Sequence, residues 1–186
     1  IGLNLITKEK QNPLKTSTYG IGKVIIDACK RNVKQIFLTL GGSSTNDAGI
    51  GLAQALGVKF FDNSGNIIDA IPENLPEIAD FDVSELKIDL NKVKFTALTD
   101  VKNYLLGEKG ATYTFSEQKG ATDSDKNFLE NGLKNLAEIV TRKTGKNFQD
   151  ICGSGAAGGL AYGCSVFLNA EIQSGTEFLQ EKHNIH

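Results

Sequence analysis

Three hydroxyls, an amide and a carboxylate stand in five consecutive residues, Ser43-Ser44-Thr45-Asn46-Asp47, directly after Gly41-Gly42. Glycines let backbone N–H groups come close to a ligand. A helix starting just beyond such a turn adds its unpaired donors and the positive end of its dipole. This chemistry suits the holding of a phosphate or a small hydroxy acid. The same residue types also cap ordinary helices, so Gly41, Gly42, Ser43, Thr45, Asn46 and Asp47 are candidate binding residues with a plain structural alternative. No Gly-Lys-Ser/Thr follows the glycines, which excludes a P-loop, and the glycine spacing excludes the dinucleotide fingerprint.

Four further clusters carry chemistry-bearing residues. Thr16-Ser17-Thr18-Tyr19-Gly20 precedes a helical pattern and reads equally as capping or as part of a site. Asp100 and Asn103, in Thr99-Asp100-Val101-Lys102-Asn103, follow an apolar run, and ligands of open α/β sheets lie beyond the carboxyl ends of strands. Lys119, beside Gly120, is able to neutralise a phosphate, although taken alone it reads as a surface lysine. The run Gly153-Ser154-Gly155-Ala156-Ala157-Gly158-Gly159 contains GxGxxG, but residues 147–152 before it make a poor strand. A glycine inside a helix costs about 1 kcal/mol against alanine. Gly49, Gly51, Gly158 and Gly159 therefore point to another element approaching closely.

The elements that must position these residues follow from periodicity. Residues 36–40 and 93–98 are short runs rich in bulky apolar residues and read as buried strands. Residues 58–61 and 66–68 flank Asp62-Asn63-Ser64-Gly65 and read as a hairpin. Residues 80–83 read as a short strand and 1–7 as an extended segment, while 11–17 and 72–76 read as loops. Helices are expected over 19–32, with Ile21, Val24, Ile25, Ala28 and Cys29 on one face, from Ile50 onward, over 124–144, over 156–168 and over 176–183. Thr122 or Ser124 caps the long helix and Gly145 ends it. Strands alternating with helices, plus a hairpin, predict a single α/β domain over 1–186: a mixed-sheet layered fold with helices on both faces, flavodoxin-like or related.

Bulk properties narrow the function classes. The chain has 186 residues, 23% charged, with a formal net charge of −2, so nothing marks it for nucleic acid. No apolar run nears the roughly 20 residues of a membrane span and no leader pattern is visible. We therefore expect a cytoplasmic protein. Cys29, Cys152 and Cys164 have no CxxC spacing and read as reduced and buried. The only histidines, His183 and His186, sit at the end, which argues against a metal site or a histidine triad. The chain begins with Ile1 and contains no methionine, and we read it as a piece of a longer protein.

The segments YGIGKVIIDA, GGSSTNDAGIGLAQALGV, LTDVKNYLLGEKGA, EQKGAT and GSGAAGGLAYG occur in this order. Together they resemble the type I glycerate kinase family, over essentially the whole chain. The resemblance implies phosphorylation of glycerate with ATP and Mg²⁺, 2-phosphoglycerate being the product of the bacterial enzymes. It also implies that this chain is the inserted domain of a two-domain kinase. The remaining domain of the same enzyme would then be its partner, supplying the acidic glycine-rich and Gly-Glu-Gly motifs absent here. Carried over motif by motif, Gly41, Gly42, Ser43, Thr45, Asn46 and Asp47 match the family's Gly-Gly-Ser-Ala-Thr-Asn-Asp loop. Asp100 and Asn103 match its Asp-Val-x-Asn-Pro turn, Lys119 its Gln-Lys-Gly-Ala, and Gly155, Gly158 and Gly159 its glycine-rich turn. Tyr104, Thr99, Ser44 and Ser116-Glu117 depart from the usual Pro, Cys, Ala and Gly-Pro. On this reading Asp100 is either a general base or a Mg²⁺ ligand, and Lys119 neutralises phosphate charge. Asp47 is the rival base, weakened if a helix N-terminus stabilises its anion. Removal of the second domain is expected to expose an apolar docking surface near residues 153–163. A non-catalytic nucleotide-binding or regulatory module is the alternative function, and a purely structural domain a further one.

Overall fold

The computed structural model describes residues 2–183; Ile1 and residues 184–186, including His186, lie outside that range. Near the start, Leu3–Leu5 form a 3-10 turn where an extended segment was expected, with Gly2 bridged to Ser43. Helix α1 (Tyr19–Lys30) leads into strand β1 (Gln35–Thr39), and α2 (Ile50–Leu56) follows the polar loop. Strands β2 (Lys59–Phe61) and β3 (Ile67–Ile68) form the expected hairpin, and β4 (Asp80–Asp82) pairs with the other side of β2. Strand β5 (Lys94–Leu98), short helix α3 (Ala111–Phe115), long helix α4 (Asp123–Thr144), α5 (Ala156–Leu168), β6 (Glu171–Gln173) and α6 (Gly175–His183) complete the chain. Parallel and antiparallel pairing coexist in two three-stranded sheets. One is β1-β5-β6, parallel throughout, and the other is β3-β2-β4, antiparallel throughout.

Local chemistry explains most of the element ends. The Thr122 hydroxyl accepts from Asp125 N–H while Asp125 accepts from Thr122 N–H, a reciprocal cap for α4. Leu129, Leu133, Leu136 and Val140 all lie on its buried side. Asp62 accepts from Ser64 and Asn66 N–H and so closes the β2–β3 turn. Helix α1 departs from the expected face. Val24 points to solvent at 69% exposure, because the buried side is centred on Gly22 and Ile25. A Cβ at Gly22 would stand 2.6 Å from Leu52 O and from Ala55 Cβ, so glycine lets α1 lie directly on α2.

Two apolar cores share helices α2 and α5. One packs Ile50, Ala53, Leu133, Leu136 and Tyr162 against the antiparallel sheet, with Phe60, Phe81 and Phe167 meeting edge-on or tilted. The other packs Ile25, Leu52, Leu56, Leu160, Cys164 and Leu168 against Phe95 and Ala97 of the parallel sheet. The segment 153–163 lies inside these cores. Within it only Ala157 is more than slightly accessible, so the segment itself packs within the chain, while Val101, Tyr104 and Ile151 beside it are exposed apolar side chains. The cysteine expectation also needs correction. Cys164 is buried, its thiol pushed up to about 12 by desolvation, but Cys29 is half-buried and Cys152 is exposed. No described helix is long and apolar enough to cross a membrane.

Candidate active-site cleft

Strands β1 and β5 run parallel with Thr39 opposite Leu98, and Leu40 N–H donates to Leu98 O at 2.8 Å. Both chains therefore leave the sheet at the same end. Gly41-Gly42-Ser43 emerges beside Thr99-Asp100-Val101, as the carboxyl-end argument requires. Gly41 and Gly42 are exposed and Ser43 is half-buried. The Gly42 carbonyl is tied by Leu3 N–H at 2.7 Å.

Beyond Ser43 the loop turns inward. Thr45, Asn46 and Asp47 are essentially inaccessible, at 0–1% exposure. Asp47, the Asn46 amide nitrogen and the Thr45 carbonyl hold the loop in place, while the Thr45 hydroxyl and Asn46 Oδ1 are buried without a hydrogen-bond partner. Asp47 Oδ2 accepts from Thr18 N–H and from the Thr18 hydroxyl, both at 2.8 Å, and Oδ1 accepts from Gly49 N–H at 3.1 Å. The Thr18 hydroxyl in turn accepts from Leu52 N–H at 2.8 Å. Thr18 begins α1 but gives its side chain to α2 and Asp47 instead of to a cap. Thr16 donates to Ser44 O at 2.7 Å, and Asn46 Nδ2 donates to Thr112 at 3.2 Å. Burial raises the Asp47 carboxyl above its ordinary value, and the hydrogen bonds from Thr18 and Gly49 only partly offset that. This reverses the expected effect of a helix N-terminus. Helix α2 starts at Ile50 with Gly49 as its cap, and the Gly49 and Gly51 N–H groups do favour the Asp47 anion, but desolvation of a fully buried carboxyl outweighs them.

Lys119 is 2% exposed, unlike the surface lysine it resembles in sequence. Its ammonium donates to Thr45 O at 2.7 Å and reaches Ser43 Oγ at 3.4 Å. Desolvation pulls it down to about 8, while the charge of Asp47 acts in the opposite sense. An ammonium has three donors, and these two acceptors leave one for a ligand. Lys119 lines a cavity of about 110 Å³ together with Gly41, Gly42, Ser43, Gln118 and Ala157. That places the expected glycine loop and the expected cation at one concave site.

Asp100 stands at the same end of the sheet but makes a different set of bonds. Its Oδ1 accepts from Thr176 N–H at 3.0 Å and from the Ser174 hydroxyl at 2.9 Å, tying down the start of α6. The Thr176 N–H and the Ser174 hydroxyl hold its carboxyl below the usual range. Asn103 does not turn to the cleft: Nδ2 donates to Lys109 O at 2.7 Å, and Asn103 O accepts from Gly155 N–H at 2.9 Å. No group of three or more His, Cys, Asp or Glu able to hold a metal occurs among the described residues. The donor set therefore does not fit an all-protein cage. The single carboxylate of Asp100 fits a Mg²⁺ ion that arrives coordinated by phosphates.

The glycine-rich run proves to be the backing of the loop. Ala157, Gly158 and Gly159 form a left-handed turn at the start of α5. Gly158 O accepts from Ala48 N–H at 3.1 Å. A Cβ on Gly158, whose φ is +69°, would meet Thr45 O at 2.0 Å, and one on Gly51 would meet Ser17 Oγ at 2.0 Å. Gly155 likewise has no room, with Tyr104 O 2.2 Å from the Cβ position. The close approach expected from the sequence is thus real at all four: Gly158 meets the Thr45–Asn46 backbone, Gly159 meets Leu105 and Ala48, Gly49 meets Gly163 of α5, and Gly51 meets the turn before α1. Gly158→Ala is expected to destabilise the protein by roughly 2–4 kcal/mol, from overpacking plus a strained φ. Gly145→Ala, with the same sign of φ but open space around it, should cost only about 1 kcal/mol. Urea unfolding of both variants checks this; equal losses would remove the close-contact argument. Thr112 had no sequence signal, because it meets Asn46 only through the tertiary fold. Thr16 and Thr18 lay in a cluster noted for its composition, with partners that spacing does not reveal.

A family model described as the glycerate kinase family matches residues 1–186. The glycerate kinase of Halalkalibacterium halodurans is 43% identical over 185 residues, which are 100% of this chain and 49% of that protein. The glycerate 2-kinase of Escherichia coli K12 is 37% identical, over 99% of this chain and 48% of its own length. A crystal structure provisionally assigned as glycerate kinase 2 from Salmonella typhimurium LT2 superposes with a TM-score of 0.92 at 34% identity, covering 97% of this chain and 48% of that one. The chain spans about half the length of the curated relatives it matches.

Proposed function

The chain belongs to the glycerate kinase family, and from that premise we propose that the protein carrying it transfers the γ-phosphoryl group of ATP to glycerate, with 2-phosphoglycerate as the favoured product. The observation that carries the reading is the cavity in which exposed Gly41 and Gly42 meet the buried ammonium of Lys119, next to Asp100 at the carboxyl ends of two parallel strands. Phosphoryl transfer makes little covalent demand on a protein; positioning and charge stabilisation do most of the work. In this proposal the N–H groups around Gly41-Gly42-Ser43 and the Ser43 hydroxyl bind an oxyanion of the substrates. The free donor of Lys119 faces the same oxyanion and offsets its charge. Thr45, Asn46, Asp47, Asn103, Gly155, Gly158 and Gly159 act one step removed, by fixing the loops that bind. Of the two roles open to Asp100, the lowered carboxyl favours charge over proton abstraction, since a weak base takes up a proton poorly. Asp100 is the residue that would hold Mg²⁺, which when bound spreads the charge of the transferring group.

The chain would then be one domain of the enzyme. The second domain and glycerate are its partners, and a cytoplasmic location suits both substrates. The test is a coupled ADP-release assay on the full-length protein. Glycerate-dependent ADP formation at least tenfold above that with other sugar acids is the expected result. ATP binding without turnover would instead favour the non-catalytic nucleotide-binding module.

A further inference from the structure

A second, larger cavity of about 620 Å³ lies at the carboxyl ends of β1 and β5. Its apolar walls are Phe37, Leu40 and Leu98 on the sheet side and Phe178 and Leu179 on α6. The Phe37 and Phe178 rings meet at 4.7 Å between centroids, tilted by 48°, and Lys182 Nζ stands 5.4 Å from each. This cavity and the 110 Å³ cavity lined by Lys119 share Leu40 and Gly41. The larger one is within the range of small-molecule sites, about 300–1,000 Å³; the smaller one has room for little more than an oxyanion.

A large apolar cavity joined at a glycine to a small cationic one matches a ligand with a flat, weakly polar end and an anionic end. Glycerate has three carbons, each bearing oxygen, and gains nothing from aromatic walls. A nucleotide has both ends. Resting on the phosphoryl-transfer reading above, we infer that the cavity between β1 and α6 is the nucleobase subsite, with the phosphate chain running past Gly41 toward Lys119. A planar base against Phe178 gains dispersion and excludes water from both faces. The outer wall is α6, whose start is held by Asp100. Asp100 itself lines the same cavity, so the carboxylate proposed for Mg²⁺ lies within reach of a nucleotide seated there.

The experiment separates base from phosphate in the full-length protein. Phe178→Ala is expected to weaken adenosine and ATP binding about tenfold by calorimetry, as loss of one aromatic stacking surface does. Binding of inorganic tripolyphosphate and of glycerate should stay within twofold. Phe178→Trp keeps a ring in place, and adenosine should quench the emission that this variant adds to that of the parent protein. Adenosine that binds neither protein, or binds Phe178→Ala as tightly as the parent, overturns the inference. So does a variant whose only change is a lower melting temperature, which would make the cavity a packing surface for another part of the protein or a second copy. If ATP and adenosine behave as expected but glycerate is not phosphorylated, the base subsite stands and the glycerate reading falls.

Discussion

Asp100→Asn is expected to lower kcat of the full-length protein by roughly a hundredfold or more, the usual scale for removing a charge that acts in the transition state. The substitution isolates charge from structure. An asparagine Oδ1 still accepts from Thr176 N–H and from the Ser174 hydroxyl, so the start of α6 keeps its two bonds. KM for glycerate and the melting temperature should therefore change little, while the Mg²⁺ concentration needed for half-maximal rate should rise. Asp100→Ala removes the bonds as well and should also lower protection of α6 amides in hydrogen exchange. A near-normal kcat in Asp100→Asn would remove this carboxylate from the chemistry and leave it as a tether for α6 alone.

Lys119→Met should weaken binding of the anionic substrate by roughly a hundredfold, because it withdraws a charge-assisted donor from a desolvated site. The pH dependence gives a second signature with a definite sign. The amine sits at about 8 in the folded chain against an ordinary 10.5. Between those values the unfolded chain binds more protons than the folded one, so this group makes stability rise with pH, by roughly 3 kcal/mol across the window. Below pH 8 both states are charged and the full desolvation penalty is present. Ligand binding runs the other way: as pH climbs through 8 the ammonium is lost and affinity for the anion should fall. The unfolding free energy and the substrate KM, each measured from pH 7 to 10.5, should both rise in the parent protein, stability gained while affinity is lost, and both trends should vanish in Lys119→Met. A flat KM profile in the parent would make Lys119 a strut for Thr45 O and nothing more.

The long-range partners explain why parts of this site were legible in sequence and parts were not. Asp47 looked like a helix-start carboxylate because Asn46-Asp47-Ala48-Gly49 precedes an apolar run. Its pKa is set by burial under Thr18, a residue 29 positions away. Lys119 looked like an ordinary surface lysine because one residue and a neighbouring glycine carry no burial information. Its partner Thr45 O is 74 positions away. Spacing alone puts Val24 on the core face, whereas close contact between α1 and α2 at Gly22 turns it outward. Strand β6 and helix α3 leave no signal in the sequence because three and five residues carry too little periodicity.

What the sequence determined by itself was local or compositional. It determined the glycine-rich turn at the end of β1, the hairpin around Asp62-Gly65, the capped stripe of α4, the α/β class and the family, since each depends on residues within one turn or on ordered motifs. The tertiary structure alone decided which polar residues of residues 41–47 face the cleft and which are buried struts. It alone joined Lys119 to that loop, bound Asp100 to α6 and seated the glycine-rich start of α5 behind Thr45. Those outcomes depend on desolvation and on contacts between segments far apart in the chain. A carboxylate or an amine has no fixed chemistry until the fold sets how much water and which partners it keeps.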